Sequence, residues 1–356
     1  MNNARLARAA TLALAGALAL GGSACGPTPS ASPGPPLAAS SPAQTQPLRF
    51  IALGDMPYGQ EVRSGPAYRH LIGLINAERL PFAIHVGDIK DGLTECSDAL
   101  FERQSAYFAS YDKAVIYTPG DNDWVDCQRQ GSDPLERLDA LRRRFFATAK
   151  SLGARPIQLQ RQAALMPAYT AFVENQRWWS QQVLFASFHT VGPDDNTSDP
   201  APALQQEQRA REAANVAWIR DAFLLARLQG ARALVLATQA DVVVQGDTLQ
   251  VPFKVVAAFQ RTFVDTLLPL AQAAPFPVLL IHGDSHRMIS DQPFYDAAGA
   301  PIRNLWRLQV PGADRMHAVI VSVAAGTAPP ADAPTAPPAP PFGFQLLWNP
   351  MSPDPH

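Results

Sequence analysis

Strand-length apolar runs that end in glycine and aspartate recur along this sequence and constrain its fold more than any other feature. RFIALGD (49–55) and FAIHVGD (82–88) end in Gly-Asp, and AVIYTPGDND (114–123) ends in Gly-Asp-Asn-Asp. A glycine before the acid allows a sharp turn and a close approach to the backbone. One such pair is a common turn. Three of them, each after an apolar run, are hard to explain as turns alone.

The second half of the chain repeats this arrangement. ARALVLATQAD (231–241) ends in polar residues, and PVLLIHGDSH (277–286) places two histidines and an aspartate around a glycine. Strands that alternate with longer amphipathic segments predict an α/β architecture, in which ligands bind beyond the carboxyl ends of the strands. Later apolar runs predict further strands at an antiparallel edge or second sheet, at 304–310, 316–324 and 342–348.

Acids that converge at strand ends predict a metal site. Like charges held close together are costly unless a cation neutralises them. Two divalent ions about 3.5–4 Å apart need a bridging carboxylate, outer ligands and a water that becomes the nucleophile. On this interpretation His282 and His286 belong to the last loop of a binuclear site, because Gly283 interrupts any helix on which they would share a face.

The order of these strand endings resembles that of the calcineurin-like metallophosphoesterases, which include the purple acid phosphatases. Their pattern is D-x-H, GD-x-x, GNH-[DE], a lone histidine and GH-x-H, and the resemblance covers about residues 48–325. It implies an α/β fold, a four-layer αββα sandwich with mixed central sheets flanked by helices. It also implies hydrolysis of a phosphate ester by a water activated at two metal ions.

The resemblance gives each matching position a role. Asp88 is the ligand predicted to bridge the two ions, and Asn122 is predicted to donate a catalytic hydrogen bond to a phosphoryl oxygen. His282 or His189 is predicted to protonate the leaving group. Whether Asp121 or its neighbour Asn122 touches metal stays open. The predicted metal ligands are Asp55, Asp88, Asp121, Gln239, Asp284 and His286.

Five positions depart from the family pattern. Pro57 replaces a histidine, Asp121-Asn122 replaces Asn-His, and Gln239 and Asp284 replace histidines. Oxygen-rich ligation favours Mn²⁺, Mg²⁺, Ca²⁺ or iron over zinc, but the two divalent or trivalent ions stay open among all five metals, zinc included. The departures also support an alternative, in which the protein keeps the fold but is a catalytically inactive envelope protein with a binding or scaffold role.

The N-terminal segment has the features of a secretory signal. Arg5 and Arg8 precede an apolar run that ends in small residues, which predicts a signal peptide over 1–25. GSAC (22–25) resembles the bacterial lipobox, which implies lipidation of Cys25, with simple secretion as the alternative. Residues 26–47 are rich in Pro, Ser and Ala and predict an extended tether before a single domain at 48–350.

This layout predicts a protein of the bacterial cell envelope, either a periplasmic lipoprotein or a secreted protein. Secretion permits a disulfide between Cys96 and Cys127, and two separate buried thiols are the alternative. The 356 residues carry a net charge of −2, so no basic excess points to nucleic acid. The expected partners are a small phosphorylated substrate and the membrane, through the lipid anchor only, and the protein is expected to be a monomer.

Absent motifs exclude other classes of enzyme. The sequence contains no GxxxxGK[ST] phosphate loop, no GxGxxG and no GxSxG nucleophile elbow. Nucleotide-driven motors, dinucleotide enzymes and ordinary serine esterases therefore lose support. A metal-dependent phosphoesterase remains the function that the sequence predicts.

Overall fold

The structure is a computed structural model that describes residues 46–246, 251–325 and 340–353. The predicted signal peptide, the lipidation at Cys25 and nearly all of the predicted tether lie outside these ranges. Within them, none of the helices has the length and the apolar character needed to cross a membrane.

Helices and strands alternate through most of the described chain. The helices are α1 (Glu61–Ala77), α2 (Asp98–Ala109), α3 (Pro134–Phe145), α4 (Gln162–Leu165), α5 (Pro202–Leu228) and α6 (Leu268–Gln272). The strands are β1 (Leu48–Leu53), β2 (Phe82–His85), β3 (Ala114–Tyr117), β4 (Gln160–Arg161), β5 (Gln176–Ser180), β6 (Val183–Ser187), β7 (Ala233–Ala237), β8 (Val243–Gln245), β9 (Phe253–Val255), β10 (Val278–His282), β11 (Ile289–Asp291), β12 (Leu305–Gln309), β13 (Ala318–Val323) and β14 (Phe342–Leu347).

The strands form two mixed sheets and a hairpin. The first sheet has the order β14-β13-β1-β2-β3, in which β1, β2 and β3 are parallel and β13 and β14 are antiparallel additions. The second has the order β11-β12-β10-β7-β6-β5-β4, with β12, β10, β7 and β6 parallel to one another. The hairpin pairs β8 with β9. The parallel strands are the ones that carry the acidic endings.

Alternating side chains of the strands build three hydrophobic cores. Phe50 of the first sheet and Phe185 of the second pack in one core between the sheets, with their rings 5.2 Å apart. Ile51 points the other way and packs against α1, α2 and α3. Leu184 packs with Trp218 of α5 on the outer face of the second sheet. Because strand side chains alternate between faces, these cores produce the predicted four-layer αββα sandwich.

Local signals fix where two of the helices begin. The Ser97 hydroxyl accepts a hydrogen bond from the Leu100 N–H at 3.3 Å and caps α2. Asp133 caps α3 by accepting from the Leu135 N–H at 2.9 Å, and Pro134 occupies the first position of the helix. These residue types stabilise helix starts because they satisfy otherwise unpaired N–H groups.

Two segments differ from the sequence prediction. The spacing of apolar residues over 253–273 predicts one helix, but the segment begins with strand β9 and continues as a π-helical turn (Gln260–Leu267) before α6. Strand β5 was not predicted, because QRWWS has no regular apolar alternation, yet it pairs antiparallel with β6. Pairing with a neighbouring strand decided the conformation here, and single-segment patterns do not contain that information.

Candidate metal centre

The predicted site residues follow strands of both sheets and meet where those strands end. The Asp284 N–H, after β10 of the second sheet, donates to Asp55 Oδ1, after β1 of the first, at 2.8 Å. The Gln239 side chain, after β7, donates to Asp121 Oδ1, after β3, at 2.8 Å. The acidic endings therefore come from two sheets packed face to face, and hydrogen bonds join them across the gap.

The backbone turns sharply at four of these residues. Asp55, Asp88, Asp284 and His286 have φ angles of 54°, 55°, 74° and 62°, in the left-handed region that residues other than glycine rarely adopt. Such conformations persist only where surrounding contacts enforce them, and they cluster at functional sites. Here they direct each side chain away from its strand and toward the common cluster.

Neighbouring glycines make room for the carboxylates. A Cβ atom on Gly120 would lie 2.0 Å from Asp88 Oδ1, and one on Gly283 would lie 2.1 Å from Asp55 Oδ2. Any side chain at these positions would occupy the space of an acid. The glycines of the repeated Gly-Asp pattern therefore do more than turn the chain, since Gly120 accommodates the carboxylate of a different strand ending.

Asp55, Asp88 and His286 form a group that could hold a cation. Each offers one ligand atom, and these atoms lie within 4.8 Å of one another. Both aspartates are buried, whereas the His286 side chain is 36% exposed. Asp55 Oδ2 is buried and has no hydrogen-bond partner among the described residues. A buried carboxylate oxygen without a donor, beside a second carboxylate and an imidazole, fits a hard divalent cation.

Without a cation, burial and mutual repulsion disfavour the charged form of these carboxyl groups. Burial raises the pKa of Asp55, Asp88 and Asp121 well above the usual range, and the neighbouring carboxylates raise it further. Burial likewise raises the pKa of Asp284 to about 6. It lowers the pKa of His286, which favours the neutral imidazole that can bind metal. A bound cation would offset the carboxylate repulsion directly.

Asp88 receives several hydrogen bonds in addition to its place in this group. Its Oδ2 accepts from the Tyr58 hydroxyl at 2.7 Å, from Asn122 Nδ2 at 2.7 Å and from Gln239 Nε2 at 3.4 Å. Its Oδ1 accepts from the Asn122 N–H at 3.2 Å. Asn122, predicted as a catalytic donor, thus contacts the predicted bridging ligand with both its backbone and its side chain.

Tyr58 is a site residue that the sequence analysis missed. Its hydroxyl accepts from Asn122 Nδ2 at 2.8 Å and lies 3.3 Å from His286 Nε2, and its ring meets the His286 ring edge to face. Burial and the nearby Asp88 raise its pKa, so the phenol keeps its proton. The available signal was its position three residues after Asp55, but nothing in the segment shows which way the ring points.

Gln239 presents hydrogens, not lone pairs, to the acids. Its Oε1 accepts from the Gly192 N–H at 2.7 Å, while its Nε2 donates to Asp121 and Asp88. This orientation differs from that of a metal ligand, which would turn the amide oxygen toward the ion. The predicted ligand Asp284 is held through Oδ2, which accepts from the Asp241 N–H at 3.0 Å.

The two histidines predicted as acids are both fully buried. His282 Nδ1 donates to the Gly283 carbonyl at 3.0 Å, and burial lowers the pKa of the ring to about 4. His189 donates from Nδ1 to Glu174 and accepts from the Trp124 indole at 3.1 Å. Neither ring holds an available proton near neutral pH, so their surroundings argue against a role in protonating a leaving group.

Two other aspartates of these loops support the backbone. Asp123 is buried and accepts from the Gly120, Asp88 and Ile89 N–H groups at 2.8–3.1 Å, which ties the loops after β2 and β3 together. Asp91 accepts from N–H groups of its own turn and from the Gly59 N–H at 2.7 Å. Both oxygens of Asp91 are therefore used in holding its own turn and the Gly59 N–H.

The predicted disulfide is present next to the site. Cys96, just before α2, is bonded to Cys127, and their Cα atoms are 5.5 Å apart. Cys127 belongs to the 3₁₀ helix Val125–Gln130, which follows directly after the loop of Asp121 and Asn122. The disulfide therefore anchors one side of the acidic cluster to the helical layer.

Comparisons with known proteins yield structural neighbours. No family model matches the sequence, and no curated protein matches it at a significant level. GAP50, described as the anchor in the inner membrane complex of Plasmodium, is 11% identical with a TM-score of 0.46, over 78% of this chain and 81% of that one. TT1561 of Thermus thermophilus is 10% identical with a TM-score of 0.38, over 77% and 94%.

A purple acid phosphatase is also among these neighbours. PPD1 from yellow lupin (Lupinus luteus) seeds is 12% identical with a TM-score of 0.45, over 80% of this chain and 51% of that one. This chain thus spans about half of the lupin enzyme. At these identities and TM-scores, the neighbours carry neither a family nor an activity over to this chain.

Proposed function

We propose that this protein hydrolyses a phosphate ester with the help of a divalent cation held by Asp55, Asp88 and His286. The observation that carries the proposal is the convergence of these three side chains, with one buried Asp55 oxygen that has no donor among the described residues. When bound, a cation at this position supplies positive charge that polarises a phosphoryl oxygen and lowers the pKa of a water. The sequence predicts two ions, whereas the hydrolysis proposed here uses one cation, at Asp55, Asp88 and His286.

The residues around the cluster suggest how a substrate would be placed. Asp55 and Asp88 are buried, so a phosphate would approach from the side of His286 and the half-buried Tyr58. The Asn122 amide and the Tyr58 hydroxyl are the neutral polar groups next to Asp88 on that side. A phosphoryl oxygen that took over one of the hydrogen bonds now donated to Asp88 would be oriented by these groups without further negative charge being added.

The location and partners proposed from the sequence remain part of this proposal. A disulfide is typical of proteins in oxidising compartments, which supports the cell envelope or the extracellular space. A periplasmic lipoprotein anchored through Cys25 would act on small phosphorylated molecules outside the cytoplasm. The cation is proposed to be Mn²⁺, Mg²⁺, Ca²⁺ or iron, since oxygen ligands outnumber the single imidazole.

The test is turnover of an aryl phosphate by the purified protein with added Mn²⁺. We expect Asp88→Asn and Asp55→Asn to lower the turnover number on the order of 10²-fold or more while the circular dichroism spectrum stays unchanged. Asp139→Asn, on the exposed face of α3, is the control and should match the wild type. Absence of turnover with every divalent metal would instead support the binding or scaffold role.

A further inference from the structure

We infer that this site binds one cation and not two, because the amide group of Gln239 occupies the position that a second ion would need. The inference rests on the proposed cation site and concerns how many ions that site holds. It assigns Gln239 a role as a neutral, hydrogen-bonding substitute for a metal ion.

A hydrogen bond on the side away from the acids fixes the orientation of the Gln239 amide. The side chain is completely buried, and its Oε1 accepts from the Gly192 N–H at 2.7 Å. A backbone N–H can only donate, so the atom facing it must be the oxygen and the NH₂ group must point the other way. That NH₂ group contacts Asp121 Oδ1 at 2.8 Å and Asp88 Oδ2 at 3.4 Å. Its hydrogens thus lie between two carboxylates, where a bridging cation would otherwise lie.

Hydrogen bonds already occupy the lone pairs of Asp88 that a second ion would need. A carboxylate oxygen has about two acceptor positions. Asp88 Oδ2 already accepts from three donors, on Tyr58, Asn122 and Gln239. Asp88 Oδ1 accepts one hydrogen bond and keeps an acceptor position for the first ion. The carboxylate can therefore bind one cation through one oxygen, but it cannot bridge two.

The far side of the second position is closely packed as well. A Cβ atom on Gly192 would lie 2.3 Å from Asp284 Oδ2, so the loop that holds the Gln239 oxygen also lies directly against this acid. The same Asp284 oxygen accepts from the Asp241 N–H at 3.0 Å. By contrast, Asp55 Oδ2 on the first side has no donor among the residues that the structure describes. The asymmetry leaves one side of the cluster available to a cation and fills the other with protein.

The experiment counts Mn²⁺ ions on the full-length protein after equilibrium dialysis, by elemental analysis, and records their electron paramagnetic resonance spectrum. We expect one Mn²⁺ per wild-type chain with the spectrum of an isolated ion, and close to none for Asp55→Asn. Gln239→Glu replaces the NH₂ group with a carboxylate oxygen, and we expect two ions per chain with the broadened spectrum of a coupled pair. Gln239→His is a second variant with the same expectation. Gln104→Glu, at another buried glutamine on α2, is the control and should still bind one.

The outcomes together distinguish the failure of this inference from the failure of the proposed hydrolysis. Two ions on the wild type would overturn the inference and leave the hydrolysis intact. One ion without turnover of the aryl phosphate would uphold the inference and refute the hydrolysis. No bound ion would overturn both. One ion on folded Gln239→Glu and Gln239→His would show that Gln239 does not exclude the second cation.

Discussion

At the residue scale, the cluster depends on a tyrosine that links its ligands. We predict that Tyr58→Phe lowers the turnover number on the order of 10²-fold, because Asp88 loses a donor and the Asn122 amide loses its acceptor. Mn²⁺ binding should persist, since Tyr58 is not among the proposed ligands. Steady-state kinetics and dialysis measure the two effects separately.

A matched tyrosine provides the control for this prediction. The Tyr68 hydroxyl contacts the Tyr111 hydroxyl at 3.0 Å inside the helical layer of the first sheet. Tyr68→Phe removes the same atom away from the acids, so its turnover should equal that of the wild type. Equal turnover in both variants would show that the Tyr58 hydroxyl has no part in the reaction.

At the scale of the elements, the loop after β3 fits against the loop after β2 only because it has a glycine at position 120. We predict that Gly120→Ala displaces Asp88, since the new Cβ atom would lie 2.0 Å from its Oδ1. The expected result is Mn²⁺ affinity weakened about 10–100-fold and a free energy of unfolding lower by about 1–3 kcal/mol. Isothermal titration and chemical denaturation give these two quantities.

Gly73→Ala in the middle of α1 tests whether any glycine replacement has this effect. Among the described residues, no atom outside the adjoining helix backbone lies within 4 Å of the Cβ atom that would be added there. Alanine in a helix is favoured over glycine by about 1 kcal/mol, so stability should rise and Mn²⁺ affinity should not change. Unaltered Mn²⁺ binding by Gly120→Ala would mean that the loops can shift without disturbing Asp88.

At the scale of the whole molecule, the buried polar groups make stability depend on pH. His85 is completely buried, its Nε2 donates to the Met56 carbonyl at 3.3 Å, and burial lowers its pKa from 6.5 to about 4. The unfolded chain takes up this proton at a higher pH than the folded chain does. The contribution of His85 is thus present above pH 6.5 and is lost as the pH falls toward 4.

We predict that His85→Gln reduces the acid sensitivity of the fold. The wild type should lose up to about 3 kcal/mol more than the variant between about pH 6.5 and pH 4, from a pKa difference of roughly 2.5 units. Chemical denaturation at several pH values in this range gives the free energy of unfolding of each protein. Parallel pH profiles for the two proteins would show that His85 does not contribute.

The four-layer architecture could be predicted from the sequence to a large extent. The parallel strands that carry the acids are buried on both faces, and their apolar runs end close to the observed strand ends. Strand β5 and the break at the start of the predicted helix 253–273 could not be predicted, because strand pairing decides them. The sequence also did not show that the acids come from two different sheets, because the residues at the end of a strand do not indicate which sheet the strand joins.

By itself, the sequence determined the strands that end in acids and the residue types gathered at those ends. Local patterns carry this information, because burial and turns impose periodicity and glycine on short segments. Only the tertiary structure decided what each polar atom contacts. Tyr58 reaches Asp88, Asp123 ties two loops together, and the Gln239 amide turns its hydrogens toward the acids because Gly192, from a distant segment, holds its oxygen. Such orientations depend on contacts between segments far apart in the chain, and no local pattern encodes them.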